Sequence, residues 1–383
     1  MIVKKFLKWF DTATVTQRCN ATSALARAYA QGRIPAEEGP GVEAALSLIV
    51  DDPSPKVRLA LAEGLAGAEH APRSVILKLA EDQFEVAARI IALSPVLSDN
   101  DLIEIIANGR MLFQQFVACR SSLSIQVSAA LAEVGSRDAV ADLMDNVHAP
   151  IARISLRRIA ERFGDDPELR SRLFERGDLP CDVRQALVER LGAALAGSEL
   201  VRFAIGGNRS RKITDEACVN ATLTLADVVA AEEIPALVEH LRMSGRLTPA
   251  FLMHTLCSGN VDFFAAAVVA LSGMGDSRVR GILNDGREAA IRALYRSIGL
   301  DRDLAPVFVT ATLMWRAASR RQAGIDVGSV TRELMRQYAS ESGQAPAVAE
   351  LLRLVETLHL NWHRKSSRDY AHALAMEPAA AAA

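Results

Sequence analysis

Aromatic residues are scarce in this chain, at 5% of 383 positions, and so are the other usual signs of a specialised chemistry. The five cysteines, Cys19, Cys119, Cys181, Cys218 and Cys257, are scattered, odd in number and without a CxxC pair. That excludes a disulfide framework and a zinc ribbon and predicts reduced thiols in a cytoplasmic protein. No apolar run reaches the roughly 18 residues of a membrane-spanning helix. Charge of neither sign dominates: the formal net charge is −2, which excludes the overall basic excess of a dedicated nucleic-acid binder but leaves room for a local basic groove. The sequence has no GxSxG elbow, no GxxxxGK[ST] loop and no GxGxxG following a strand. No cofactor is expected.

What the chain does have is apolar residues, half of the total, with alanine and leucine throughout. These residues favour helix, and small side chains let helices approach closely. A phrase recurs from Glu43 onward: a short apolar helix, an acidic or Gly-containing turn, then a helix opening with Val or Ile. Copies run ALSLIVDDPSPKVRLALAEGLA (45–66), ILKLAEDQFEVAARIIALSPVL (76–97), more weakly 102–123, then 140–163 and 169–191. The anchors Val57, Val86, Ile151 and Val183 recur at roughly 30 residues or twice that, a period of helical repeats. Within a copy, apolar residues fall at i, i+3, i+4 and i+7; in the last copy Val183, Leu187 and Leu191 form one stripe, and no segment alternates as a strand would. Pro55, following Asp51-Asp52-Pro53-Ser54, stands where proline is tolerated, at a helix start. The predicted fold is all-α, an α-solenoid of HEAT-like antiparallel helix pairs with a less regular all-helical C-terminal half.

The polar Gly206-Gly207-Asn208-Arg209-Ser210 segment interrupts the pattern and reads as a linker. The predicted divisions are an amphipathic segment over 1–13, repeats over 14–205, a helical subdomain over 213–375 and a disordered tail over 376–383. At 100° per residue, Ile2, Val3, Phe6, Leu7, Trp9 and Phe10 share one arc of the first segment, opposite Lys4, Lys5, Lys8 and Asp11. A basic helix with aromatics can rest on an anionic membrane, cap its own stack or dock on a partner, so Lys4, Lys5, Phe6, Lys8, Trp9 and Phe10 form a candidate membrane or docking helix.

DDPSPKVRLALAEGLA, SPVLSDNDLIEII, the ACR at 118–120 with VSAALAEVG at 127–135, and FERGDLP at 174–180 resemble the phrases of an alphaproteobacterial domain of unknown function, number 2336. GRLTPAFLMHTLCSGNVDFF (245–264) and RALYRSIGL (292–300) are similar to its C-terminal part. The resemblance implies a helical-repeat bacterial protein with no assigned activity and no catalytic residues.

Remaining features each have a plain reading beside a functional one. Arg58, Arg153 and Arg184 follow turns containing Asp52, Asp145 and Asp178, which predicts an Asp–Arg ladder holding repeat register rather than a row of anion sites. Basic clusters at Arg209, Arg211 and Lys212, at Arg316, Arg320 and Arg321, and at Arg364, Lys365 and Arg368 read first as solvated faces. Of these, Arg209, Arg211, Lys212, Arg320 and Arg321 are the candidate interaction surface. Glu356, His359 and His363 share a helical face, but Leu360 stands where an HExxH motif needs glutamate, so no metal site is expected. The leading expectation is a non-catalytic protein–protein interaction scaffold or regulatory adaptor with a protein partner. The alternative is a nucleic-acid-binding HEAT-like protein resembling the DNA glycosylases.

Overall fold

The computed structural model describes residues 8–320, 327–338 and 345–376, and every regular element among them is a helix. The chain forms two compact units, the first ending at Leu179 and the second beginning at Pro180.

The first unit contains α1 (Val15–Ala30), α2 (Gly39–Ile49), α3 (Pro55–Leu65), α4 (Arg73–Ala80), α5 (Phe84–Leu93), α6 (Asp99–Ala107), α7 (Met111–Ala118), α8 (Ile125–Val134), α9 (Arg137–Asp145), α10 (Arg153–Phe163) and α11 (Pro167–Glu175). Local chemistry sets their starts. Thr14 and Ser98 close capping boxes with Gln17 and Asp101, Asp166 caps α11, and Pro55 and Pro167 occupy first-turn positions that need no N–H. Each odd-numbered helix from α1 to α11 packs on the next odd-numbered one; among the even-numbered helices, α2 packs on α4, α6 on α8 and α8 on α10. The anchors Val57 and Val86 are fully buried, and Leu61 and Leu65 continue the Val57 stripe into the core.

Helices α1 and α3 cross closely at Gly64. A β-carbon at Gly64 would overlap that of Ala26, which is fixed to its own backbone and cannot swing aside. Alanine gains about 1 kcal/mol of helix propensity over glycine, but overpacking of this kind costs about 1–3 kcal/mol. Gly64→Ala is therefore expected to destabilise by about 1 kcal/mol in urea unfolding, and adding Ala26→Gly to recover part of the loss. A Gly64→Ala variant as stable as the native chain would contradict this packing.

Arginines tie successive helices together. Arg18 makes a bidentate pair with Asp52 at 2.8 and 3.1 Å, and Arg58 another with Asp82 at 2.6 and 2.9 Å while also donating to the Asp52 carbonyl. Hydrogen bonds from Arg58 hold the Asp82 carboxyl below its usual range against the opposing effect of burial. Asp145 is held by Arg172, and Asp178 by Arg176. A second device places guanidinium groups on helix C-terminal carbonyls. Arg120, just beyond α7, is buried and donates to Ile91 and Ser94 at the end of α5; Arg162 donates to Ala132 and Gly135 at the end of α8. These carbonyls have no partner inside their own helix, and the helix dipole favours a cation there.

The second unit contains α12 (Cys181–Gly197), α13 (Glu199–Ile205), α14 (Gly207–Val228), α15 (Ile234–Met243), α16 (Pro249–Cys257), α17 (Val261–Ser272), α18 (Asp276–Asp285), α19 (Glu288–Ser297), α20 (Ala305–Arg320), α21 (Val327–Tyr338) and α22 (Pro346–Met376). Its core holds Phe263, Phe264, Tyr295 and Phe308, with Tyr295 between Phe264 and Phe308 at ring separations of 6.2 and 5.6 Å. Arg316 repeats the carbonyl-capping device on Ile282, Leu283 and Gly286 at the end of α18.

The segment read as a linker and subdomain boundary is instead a tight helix–helix turn inside the second unit. Gly206, at φ 82°, ends α13 and caps α14, a conformation open to glycine without strain. Asn208 to Ser210 form the first turns of α14, which packs along α12. The predicted tail over 376–383 lies outside the described residues except for Met376.

Candidate functional site

In the first unit, α4, α6 and α7 enclose a groove of about 430 Å³. Leu77, Ala80, Leu97, Ile105 and Phe113 supply apolar walls, and Glu81, Asp101, Glu104, Asn108 and Arg110 supply polar ones. Phe113 is held from two sides: the Phe84 ring lies parallel to it at 5.9 Å, and the Arg110 guanidinium sits 5.3 Å from its centroid. Burial opposes the charge on Asp101, yet hydrogen bonds from Ser98 and Arg73 outweigh it and keep the carboxyl below its usual range. Glu81 and Glu104 are exposed and make no ion pair among the described residues. The groove thus offers apolar walls, the Glu81 and Glu104 carboxylates, Asp101 already paired with Arg73, and the Arg110 guanidinium.

A cleft of about 800 Å³ lies in the second unit, lined by Asp227 on α14, His254 and Cys257 on α16, Asn260, and Asn361 and Trp362 on α22. Burial pushes His254 down to about 4 and the Cys257 thiol up to about 12. At neutral pH the pair is an uncharged imidazole and a protonated thiol, which is the wrong state for a cysteine nucleophile. Asn260 has structural work: its amide donates to the Ala226 carbonyl and its oxygen caps α17 through Phe263 N–H.

The residues singled out from sequence disperse. Arg209, Arg211 and Lys212 are exposed on the first turns of α14, where Lys212 approaches Glu216 at 4.0 Å. Arg320 ends α20 with its side chain outside the described residues, and Arg321 lies outside them altogether, as do Lys4, Lys5 and Phe6. Lys8 and Trp9 are exposed, whereas Phe10 is buried in the first unit with the Arg18 guanidinium 5.7 Å from its ring. His359 and His363 face α21 instead of a shared ligand: Nδ1 of His359 meets the Thr331 hydroxyl at 2.9 Å, and Nε2 of His363 meets Arg332 at 3.2 Å. Among the described residues no three His, Cys, Asp or Glu side chains are grouped to hold a metal.

Sequence reasoning missed both the groove and the exposure of α13. Leu200 and Phe203, three residues apart on α13, are 79% and 93% exposed. Their spacing was visible as a helical stripe; nothing in it told that the stripe is uncovered.

These features define an all-helical protein whose notable surfaces are grooves and exposed apolar ridges, and no described helix is long and apolar enough to cross a membrane. The chain belongs to an uncharacterised protein family conserved in bacteria (DUF2336), whose profile matches residues 86–348. No curated protein and no solved structure shows a significant match to it.

Proposed function

We propose that this chain is a non-catalytic protein-interaction module, a cytoplasmic scaffold or adaptor made of HEAT-like stacked helix pairs, and that its first unit receives a basic, amphipathic peptide segment. The groove between α4, α6 and α7 carries this reading. Its apolar walls suit a partner's aliphatic or aromatic side chain, while Glu81 and Glu104 complement flanking lysine or arginine. The same carboxylates would repel phosphate, which weighs against nucleic acid as the ligand of this surface. The stacking of alternate helices, tied by arginine from one to the next, supports a repeat array, and such arrays present extended binding faces. All five cysteines are free thiols, in keeping with a reducing compartment.

A photo-crosslinking residue in place of Ile105 in the full-length chain should trap a protein in native bacterial extract. Combining it with Glu81→Lys and Glu104→Lys should weaken capture by about tenfold or more, because the rim then repels a basic partner. Capture of nucleic acid, or of a protein indifferent to both charge reversals, would overturn the proposal.

A further inference from the structure

The α12–α14 hairpin differs from the other fully described helix junctions of the second unit. From Ala193 to Arg209 no residue is buried. The seven-residue α13 therefore contributes nothing to the core, although Leu200, Val201, Phe203 and Ile205 give it the apolar content of a core helix. Ile213, two turns into α14, is half exposed as well. Leaving a phenylalanine in water forgoes the gain from burying it, so such a ridge usually marks a contact surface.

Charge identifies what that surface meets. Between Leu200 and Ile213 the chain carries Arg202, Arg209, Arg211 and Lys212 and no carboxylate, within a protein whose net charge is −2. Arg202, Arg209 and Arg211 make no ion pair among the described residues, and only Lys212 approaches an acid, Glu216. A second copy of the same surface would bring these cations face to face. A stable protein interface needs about 800 Å² from each partner, more than a few side chains at a hairpin tip supply. An anionic bilayer asks for less, because a few apolar side chains entering the headgroup region and several cations beside them act together.

We propose that the α13 hairpin docks on anionic membrane surfaces, with Leu200 and Phe203 entering the acyl boundary and Arg202, Arg209, Arg211 and Lys212 facing lipid phosphates and carboxylates. This surface is separate from the acidic groove of the first unit, and the two proposals stand or fall independently.

The test is flotation of the full-length protein with phosphatidylcholine vesicles with and without phosphatidylserine. Binding should require phosphatidylserine and weaken with salt. Leu200→Glu with Phe203→Glu should reduce it about tenfold or more, and each of Arg209→Ala and Arg211→Ala about fivefold. Both apolar positions are exposed, so circular dichroism and the thermal midpoint should stay unchanged, which separates lost docking from lost folding. Equal binding to neutral vesicles, binding untouched by the Leu200 and Phe203 changes, or no binding at low salt would overturn the assignment. So would binding that depends only on residues 1–10. Retention of an acidic protein through these same side chains, with no vesicle binding, would turn the surface over to a protein partner.

Discussion

Replacing Arg120 with alanine is expected to lower the stability of the first unit by about 4 kcal/mol, well above the 1 kcal/mol or so of an average substitution. The side chain is buried, and its guanidinium donates to the Ile91 carbonyl at 2.5 Å and the Ser94 carbonyl at 2.7 Å. Among the described residues no carboxylate pairs with it; burial alone pulls the Arg120 pKa down. The charge is tolerated because it sits on the negative end of α5, whose last carbonyls need donors. Removing the side chain strands two buried acceptors, at about 1–3 kcal/mol each, and leaves a cavity.

A substitution series separates these contributions. Arg120→Met fills most of the volume and removes the cost of burying a charge, so it should lose about 2 kcal/mol, the price of the carbonyls alone. Arg120→Lys keeps the charge but has a single donor nitrogen where the guanidinium uses two, and should fall between the native chain and Arg120→Met. Urea unfolding gives the values, and amide exchange locates the loss at the end of α5. An Arg120→Met variant as stable as the native protein would show that the carbonyls find other partners. The equivalent change at Arg162 should be milder, since that side chain is only partly buried.

Arg120 also marks how far the sequence could be read. ACR at 118–120 stood out as a phrase, yet its role depends on Ile91 and Ser94, a full repeat earlier, and no local pattern reports that distance. Arg58 was legible because Asp52 precedes it, but the structure gives the Asp52 carboxylate to Arg18 and lends Arg58 to Asp82. The ladder was foreseen in kind and misread in its rungs. Helix content was clear, since apolar spacing and Pro55 are local signals, whereas the capping boxes at Thr14 and Ser98 emerged only with the structure. Which stripes are covered was not: Val183 and Leu187 point into the core, while Leu200 and Phe203, at an equally helical spacing, point to solvent. Period reports which residues share a face, whereas burial depends on what the rest of the chain places against it. The groove beside Phe113 was invisible for the same reason, because α4, α6 and α7 each supply only part of its wall.

His254 carries the second large expectation, a loss of stability on acidification. Its ordinary value of 6.5 is pushed down to about 4 by burial against the cleft of the second unit. Above pH 6.5 the imidazole is neutral in folded and unfolded chains alike, and its contribution is constant. Between pH 6.5 and about 4 the unfolded chain binds a proton that the folded chain excludes, so stability falls as pH falls. The displacement of about 2.5 units sets the full loss at about 3 kcal/mol, reached below pH 4. Carboxylates titrate in part of this range too, so the measurement is a difference: urea unfolding of the native chain and of His254→Gln, each from pH 7.5 to 4. The stability advantage of the native chain over His254→Gln should shrink steadily through that window. A difference independent of pH would mean that the cleft lets His254 take up its proton at the ordinary value, and that water reaches the imidazole as freely as in the unfolded chain.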